Sequence, residues 1–170
     1  MTPDIALVAL FLIEIDRANL RHEAAWYAAQ IEQESAWRPT AASKYAKGLA
    51  QFTPPTWGDI APLTDPSCVD KPETDPACSV RAQLLYMERL KRSVAKVDAP
   101  RLQAFRAYNG GLGWLRREQR RCAEKPRCNP YSYQDLLDVC VRADWACREN
   151  QEYPGRIAAK EPKYRALTED

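Results

Sequence analysis

The sequence contains few residues of the kinds that bind metal ions. His22 is its only histidine, and none of the six cysteines lies in a Cys-x-x-Cys pair. Zinc sites are usually built from closely spaced cysteines and histidines. We therefore expect no metal site, and no other pattern in the sequence points to a cofactor.

Long hydrophobic stretches are also missing. The most apolar run, Ile5–Ile13, is less than half of the roughly 20 residues that a membrane-spanning helix needs. Asp4 is the only charged side chain before it, whereas a signal peptide begins with positive charge. We expect a core helix with Thr2 or Asp4 near its cap and Pro3 in its first turn, and neither a signal peptide nor membrane insertion.

The charge balance is nearly even, with a net charge of +2 over 170 residues. No run of basic residues is interleaved with aromatics, so nothing argues for binding to nucleic acid. Hydrophobic residues make up 45% and charged residues 28% of the chain, which is typical of soluble globular proteins. The length suits one compact domain, so we expect residues 1–170 to form a single, monomeric domain.

The even number of cysteines predicts disulfide bonds and an oxidising compartment. Buried free thiols are the alternative. Cys68 and Cys78 flank a loop rich in proline and aspartate, so a bond between these two is expected to close that loop.

The pairing of the other four cysteines depends on a helix. If residues 135–148 form one helix, Cys140 and Cys147 lie about 10 Å apart along its axis and cannot bond to each other. They would then pair with Cys122 and Cys128, joining two neighbouring segments.

Helical spacing of apolar residues dominates the chain, and no convincing strand alternation appears. Residues 38–53 are expected to be a loop with room for a short irregular hairpin, residues 61–74 a surface loop, and Pro154-Gly155 a helix break. The predicted helices cover about 3–20, 22–37, 54–60, 76–96, 100–108, 112–121 and 132–142, the last extending at most to 148.

Glu34 is the candidate active-site residue. With Ala24, Tyr27 and Ile31 it lies on one apolar stripe of the second predicted helix. It also lies in the last turn, where the helix dipole disfavours negative charge. Partial burial and the dipole would both raise the pKa of Glu34, as a general acid requires.

Other interpretations of this glutamate remain open. Glu32 and Glu23 lie on the flanking faces and are competing carboxylates. A glutamate near a helix end is usually an ordinary surface residue, so the spacing alone favours Glu34 only modestly.

Four motifs, in order along the chain, carry a more specific signal. The first is Glu34-Ser35 followed by Arg38-Pro39-Thr40-Ala41-Ala42-Ser43, Gly48-Leu49-Ala50-Gln51 and Pro54. The others are Asp75-Pro76 with Val80 and Tyr86, Ala107-Tyr108-Asn109-Gly110-Gly111, and Glu149 with Tyr153, Arg156 and Ile157. Together these motifs resemble the signature of the soluble lytic transglycosylase family.

The resemblance covers about residues 28–157, apart from a cysteine-bearing insert at about 112–148. It implies a mainly α, lysozyme-like fold of the α+β kind, with little or no sheet and two lobes around a substrate groove. It implies an enzyme that needs no cofactor and acts on peptidoglycan glycan strands. Such a lytic transglycosylase cleaves the β-1,4 bond between N-acetylmuramic acid and N-acetylglucosamine and leaves a 1,6-anhydromuramic product.

The resemblance also implies roles for individual residues. Glu34 would act first as acid and then as base, and the C6 hydroxyl of the muramic acid would be the nucleophile. No second catalytic carboxylate would be required, in contrast to two-carboxylate glycosidases. Ser35 would help to end the helix, and we assign Trp37 and Trp57 to the core. Positions that contact sugar, line the groove or orient the acid are matched by Ser43, Gln51, Tyr108, Asn109, Glu149 and Tyr153.

The chain departs from the family pattern at several positions. Ser79 and Gln83 replace an asparagine and a glycine, and the stretch at Ser43–Ala46 is one residue shorter. The compact form with its cysteine-bearing insert resembles phage-borne members, which are endolysins or virion-associated enzymes. Such an enzyme would reach the bacterial periplasm and cell wall through a holin pore or with an injected virion.

Two other functions fit parts of the pattern. A hydrolytic muramidase similar to goose-type lysozymes would need an aspartate to position water, and Asp59 and Asp65 are the nearby candidates. A non-catalytic wall-binding virion protein would keep the fold, but Glu34 within an otherwise matched motif argues against it. The host and the choice between exo and endo cleavage stay open.

Overall fold

The computed structural model describes residues 3–169, and this part of the chain is mainly helical, as predicted. Within these residues no β-strand is formed. The α-helices are α1 (Ile5–Arg17), α2 (Ala24–Ser35), α3 (Pro54–Ile60), α4 (Pro76–Ser93), α5 (Pro100–Gly110), α6 (Leu112–Ala123), α7 (Tyr133–Leu137) and α8 (Asp144–Ala158). The 3-10 segments are Arg21–Glu23, Ala61–Leu63, Pro66–Cys68 and Glu161–Thr168.

The chain divides into two compact units. The first comprises Met1–Tyr86 and Ile157–Asp170, and the second comprises Met87–Arg156. Between residues 3 and 169, no helix is long and apolar enough to cross a membrane. The assignment of the whole chain to one domain stays a prediction.

Helix α1 begins directly after a predicted cap. The side chain of Asp4 accepts a hydrogen bond from the backbone N–H of Ala6 at 2.9 Å, which satisfies one of the free donors at the helix start. Pro3 therefore precedes the cap, and its predicted place in the first turn is wrong. Thr2, the other predicted cap, lies outside the described residues.

Aromatic side chains form much of the core of the first unit. The buried ring of Trp37 packs edge-on against Phe11, with centroids 5.6 Å apart, and its centroid lies 6.0 Å from that of Tyr164. Trp57 is also buried, and its ring centroid lies 5.8 Å from that of Phe52. The assignment of both tryptophans to the core is confirmed.

The loop between α2 and α3 folds back on itself. Isolated antiparallel bridges join Lys47 to Ala42 and to Phe52, so the short irregular hairpin is present. Gly48 has a φ of +85°, and a β-carbon there would lie 1.9 Å from the backbone oxygen of Glu73. Glycine is the residue that fits this position without strain.

The second unit contains a tight connection between α5 and α6. Gly111, with a φ of 91°, is the only residue between these two helices. Phe105 from α5, Leu115 from α6 and Leu136 from α7 are fully or almost fully buried in this unit. The predicted stop after residue 108 is confirmed to within one turn of α5.

The helix expected over 132–142, or as far as 148, is much shorter than predicted. It is represented by α7 alone, and the backbone is helical again only from the start of α8. The β-branched residues Val139 and Val141 lie in the interruption, and such residues are less favourable in helices.

The disulfide pairing follows from this interruption. Cys140, just before α8, lies 5.7 Å from Cys147 between α-carbons, and the two are bonded. Cys122 and Cys128 are bonded to each other as well. The expected cross-pairing of these four cysteines is therefore wrong, because Cys140 and Cys147 do not lie on one continuous helix. The bond between Cys68 and Cys78 is confirmed.

One further local prediction is wrong. The break expected at Pro154-Gly155 does not occur, and α8 continues to Ala158. A proline removes one hydrogen bond and crowds the preceding turn, but this helix tolerates it near its end. The surface loop expected over 61–74 is mostly exposed or half-buried and contains two short 3-10 segments, Ala61–Leu63 and Pro66–Cys68.

We expect Gly48→Ala to destabilise the protein by about 2–4 kcal/mol, because the added β-carbon clashes with a backbone oxygen and the φ is unfavourable. Gly58→Ala is the matched control, since a β-carbon at Gly58 in α3 meets nothing within 4 Å and alanine favours helix. Chemical denaturation of the three proteins measures the difference. An equal stability of the Gly48→Ala protein and the wild type would contradict the assigned close contact.

Candidate active site

The seven predicted site residues fall into two groups. Glu34, Ser43 and Gln51 belong to the first unit. The other four belong to the second unit and are Tyr108, Asn109, Glu149 and Tyr153.

Glu34 occupies the last turn of α2, on the stripe that the sequence predicts. Ala24, Tyr27 and Ile31 on this stripe are fully buried, and Glu34 itself is half-buried. No basic residue lies in the last turn of α2. The carboxylate is therefore placed at the negative end of a helix that begins in the core.

Local hydrogen bonds and a left-handed turn mark the end of α2. Ala36 has a left-handed conformation with a φ of 50°, and its N–H donates to the carbonyl of Glu32. The buried hydroxyl of Ser35 donates to the carbonyl of Ile31 at 3.1 Å, which supports its predicted structural role. Trp37 continues the left-handed turn with a φ of 60°. The helix thus ends one residue after Glu34.

Glu32, one of the competing carboxylates, is held by the C-terminal 3-10 segment. One of its oxygens accepts from Lys163 Nζ at 2.8 Å and the other from the hydroxyl of Tyr164 at 2.7 Å. That hydroxyl in turn accepts from Trp37 Nε1 at 2.8 Å. Burial alone would raise the pKa of Glu32, but the hydrogen bonds from Lys163 and Tyr164 outweigh it and lower the pKa. Glu32 is therefore poorly suited to donate a proton near neutral pH.

Gln33, the residue between Glu32 and Glu34, is also held by a hydrogen bond. Lys160 Nζ donates to Gln33 Oε1 at 2.9 Å. With Ser35 on the other side, both neighbours of Glu34 are held in place.

The departures at positions 79 and 83 connect α4 to the elements around Glu34. Gln83 Nε2 donates to Gln30 Oε1 at 2.8 Å and to the carbonyl of Tyr27 at 3.2 Å. Ser79 is buried, and its hydroxyl accepts from the N–H of Ala50 at 3.2 Å. Both replacements thus bind neighbouring elements directly.

Ser43 and Gln51 hold the loop that follows Glu34. The Ser43 hydroxyl accepts from the N–H of Ala46 at 3.0 Å. Gln51 Nε2 donates to the carbonyls of Ala41 and Gly48 at 3.1 and 3.0 Å. Their side chains therefore shape the loop, and a direct contact with sugar stays a prediction for both.

In the second unit, two predicted site segments meet through a residue that the sequence did not single out. Asn150, on α8 next to Glu149, donates from Nδ2 to Asn109 Oδ1 at 3.1 Å. Asn109 and Glu149 are exposed, whereas Tyr153 is buried. The structure thus joins the end of α5 to α8.

Asn150 belongs to a buried polar network centred on Arg106. Arg106 Nη2 lies 2.6 Å from Glu118 Oε2, and both side chains are fully buried. Arg106 Nε donates to Asn150 Oδ1 at 3.1 Å. Burial lowers the pKa of Arg106 and raises that of Glu118, and their mutual attraction opposes both changes. A signal for Glu118 was available, because it shares the helical spacing of the buried Leu115 and Cys122.

Gly110 makes room for this network. A β-carbon at Gly110 would lie 2.6 Å from Asn150 Nδ2 and 2.7 Å from Arg142 Nη2. Arg142 donates to the Gly110 carbonyl at 3.3 Å, and its guanidinium lies 5.6 Å from the ring centroid of Trp114. The glycine after Asn109 therefore serves close packing as well as the turn.

A comparison with known protein families gives a match. The sequence model of the Transglycosylase SLT domain family matches residues 11–129, which include Glu34, Ser43, Gln51, Tyr108 and Asn109. The chain belongs to this family. No curated protein matches the chain.

Membership of the transglycosylase SLT family establishes the general function, which is action on cell-wall peptidoglycan of the lytic transglycosylase type. It also supports the lysozyme-like fold. Between residues 3 and 169, no group of three or more His, Cys, Asp or Glu side chains is placed to hold a metal ion.

The carboxylate of Glu32 makes a pH-dependent contribution to stability. Because its pKa is lowered in the folded protein, the contribution is present above the unfolded pKa and is lost as the pH falls through the folded pKa. We expect the melting temperature of the wild type to exceed that of Glu32→Gln at neutral pH, and the gap to close as the pH falls below the ordinary pKa range of glutamate. Glu169→Gln, at an exposed position, is the control with the same charge change. A gap that is independent of pH would contradict the assignment.

Proposed function

We propose that the chain is a peptidoglycan lytic transglycosylase in which Glu34 is the only catalytic acid and base. Its substrate is the β-1,4 bond between N-acetylmuramic acid and N-acetylglucosamine. The proposal rests on the family match, which includes Glu34, together with one observation: Glu34 is a half-buried carboxylate in the last turn of α2, where no basic residue lies. Glu32 is the weaker candidate, because its hydrogen bonds to Lys163 and Tyr164 lower its pKa.

In this mechanism the proton leaves Glu34 and returns to it. The carboxylic acid protonates the glycosidic oxygen as the bond to C1 of the muramic acid breaks. The C6 hydroxyl of the same sugar then attacks C1 and closes the 1,6-anhydro ring, and the carboxylate of Glu34 takes up the hydroxyl proton. No water is consumed, so no second carboxylate is needed to position one.

The geometry around Glu34 supports this role. A proton-transfer group must be held within about 2.6–3.2 Å of its target in the reacting complex. Gln33 and Ser35 on either side are both tied to neighbouring groups, and Gln83 binds Gln30 one turn earlier. The raised pKa expected for Glu34 stays a prediction.

The rival that hydrolyses the same bond would use an aspartate near Glu34. Asp65 caps a 3-10 segment through the N–H of Ser67 at 2.8 Å and lies 3.5 Å from Arg81 Nη1. The hydrogen bonds from Ser67 lower the pKa of Asp65. Asp59 is exposed. These surroundings do not favour either residue as a water-positioning base.

We propose that the remaining site residues bind the glycan: Ser43, Gln51, Tyr108, Asn109, Glu149 and Tyr153. The roles of an endolysin or a virion-associated enzyme, delivery through a holin or with a virion, and the monomeric state stay predictions.

Glu34→Gln is expected to lower the rate of peptidoglycan cleavage by at least about 10²-fold, because amide nitrogen cannot replace a general acid or base. Its melting temperature should be close to that of the wild type, since the substitution is isosteric and removes a partly buried charge. Glu32→Gln is the control, and we expect it to keep most of the activity. Clearing in a zymogram gel measures both. If the Glu34→Gln protein clears the gel as well as the wild type, Glu34 is not the acid.

Product analysis tests the reaction itself. Mass spectrometry of digested peptidoglycan should find fragments ending in 1,6-anhydromuramic acid, 18 Da lighter than hydrolysis products because no water is added. Fragments with reducing ends alone would assign the chain to the hydrolytic muramidases. The absence of any cleavage by the folded wild type would favour a wall-binding role instead.

A further inference from the structure

We propose that Arg106 and Asn150 are positioning residues that fix the side-chain amide of Asn109, so that Asn109 offers an N–H donor to an acceptor oxygen of the glycan. This inference rests on the proposed function only for the identity of the ligand. The orientation of the amide follows from the contacts of the second unit.

Arg106 fixes the orientation of the Asn150 side-chain amide, because a guanidinium can donate hydrogen bonds but cannot accept them. Arg106 Nε lies 3.1 Å from the side-chain amide of Asn150. The atom of Asn150 that faces Arg106 must therefore be its oxygen, Oδ1. The two ends of this amide cannot be exchanged without placing N–H against N–H.

The Asn150 amide, held in this orientation, in turn orients the side chain of Asn109. With Oδ1 on Arg106, the Nδ2 group of Asn150 lies 2.7 Å from the backbone oxygen of Arg106 and 3.1 Å from the Asn109 side chain. An NH2 group only donates, so the atom of Asn109 that faces it must be an acceptor. That atom is Asn109 Oδ1.

The NH2 group of the Asn109 side chain is the part that is left to bind a ligand. Asn109 is exposed whereas Asn150 is fully buried. With its oxygen bound to Asn150, Asn109 turns its NH2 group away from the network. The groups that such a donor binds are acceptor oxygens, and glycan strands offer them as acetamido carbonyls, lactyl carbonyls and hydroxyls. The Asn109 side chain therefore selects a hydrogen-bond acceptor of the ligand over a donor.

The network is rigid enough to hold this orientation. Arg106 is tied to Glu118 at 2.6 Å, and both are fully buried. Turning Arg106 away would leave a buried carboxylate without its charged partner, which is costly. Gly110 allows Asn150 to approach, because a β-carbon there would lie 2.6 Å from Asn150 Nδ2.

Two isosteric substitutions test separately the outward NH2 group of Asn109 and the hydrogen bond that Asn150 donates to it. Asn109→Asp keeps an oxygen for the bond from Asn150 but replaces the outward NH2 with an acceptor. Asn150→Asp keeps an oxygen for Arg106 but removes the donor, so that Asn109 must turn its own NH2 inward. Both variants should raise the KM for glycan strands on the order of tenfold, with kcat changed less than about twofold, as for loss of a binding contact. Gln151→Glu on α8 controls for the added negative charge and should leave KM unchanged.

Nuclear magnetic resonance tests the orientation without any need for activity. In the wild type the side-chain NH2 protons of Asn109 should exchange rapidly with water. In Asn150→Asp one of them should become protected, because it is bound to the new carboxylate. Protected Asn109 protons in the wild type, or an unchanged KM in Asn109→Asp while the wild type cleaves peptidoglycan, would overturn the inference. A folded wild type that shows exposed Asn109 protons but no cleavage would instead contradict the proposed function alone.

Discussion

The hydrogen-bonded chain from Trp37 through Tyr164 to Glu32 is the interaction on which the end of α2 depends. It joins residues 127 and 132 positions apart in the sequence, at 2.8 and 2.7 Å. An unsatisfied buried polar group costs about 1–3 kcal/mol, so the indole, the hydroxyl and the carboxylate stabilise one another's burial. The backbone turns into the left-handed region immediately after Ser35, and Trp37 reaches Tyr164 from this turn. This turn ends the helix and leaves Glu34 in its last turn. The same contact removes Glu32 from competition as an acid.

The two polar residues that depart from the family pattern, Ser79 and Gln83, also hold the surroundings of Glu34 in place. A glutamine at position 83 reaches across to Gln30 and the Tyr27 carbonyl, and a serine at position 79 binds the N–H of Ala50. These contacts connect α4 with α2 and with the loop that contains Gly48. Each places a donor and an acceptor together in a region that excludes water, where such bonds are strong and also costly to break. The surroundings of Glu34 are thus held by side-chain hydrogen bonds as well as by apolar packing.

The features that the sequence predicted correctly are those that depend on local periodicity and on motifs. Helical spacing located most helices, the cap at Asp4 and the buried stripe that leads to Glu34, and the four motifs indicated the family. Prediction from the sequence failed where a distant partner decides the outcome. Lys163 and Tyr164, which bind Glu32, lie 131 and 132 positions away from it in the sequence. The cysteine pairing was wrong because it depended on one uninterrupted helix. Arg106 and Asn150 gave no local signal, because a buried arginine is expected only when its partner is known.

The buried pair of Arg106 and Glu118 is better explained by orientation than by stability. Desolvation of two charges offsets most of their attraction, and an apolar pair of similar volume would often be at least as stable. An apolar pair, however, could not distinguish the two ends of the Asn150 amide. Arg106 can, because it only donates, and the distinction passes from Asn150 to Asn109 through successive hydrogen bonds. A buried charge in the second unit thereby determines which atom of an exposed asparagine is turned towards a ligand.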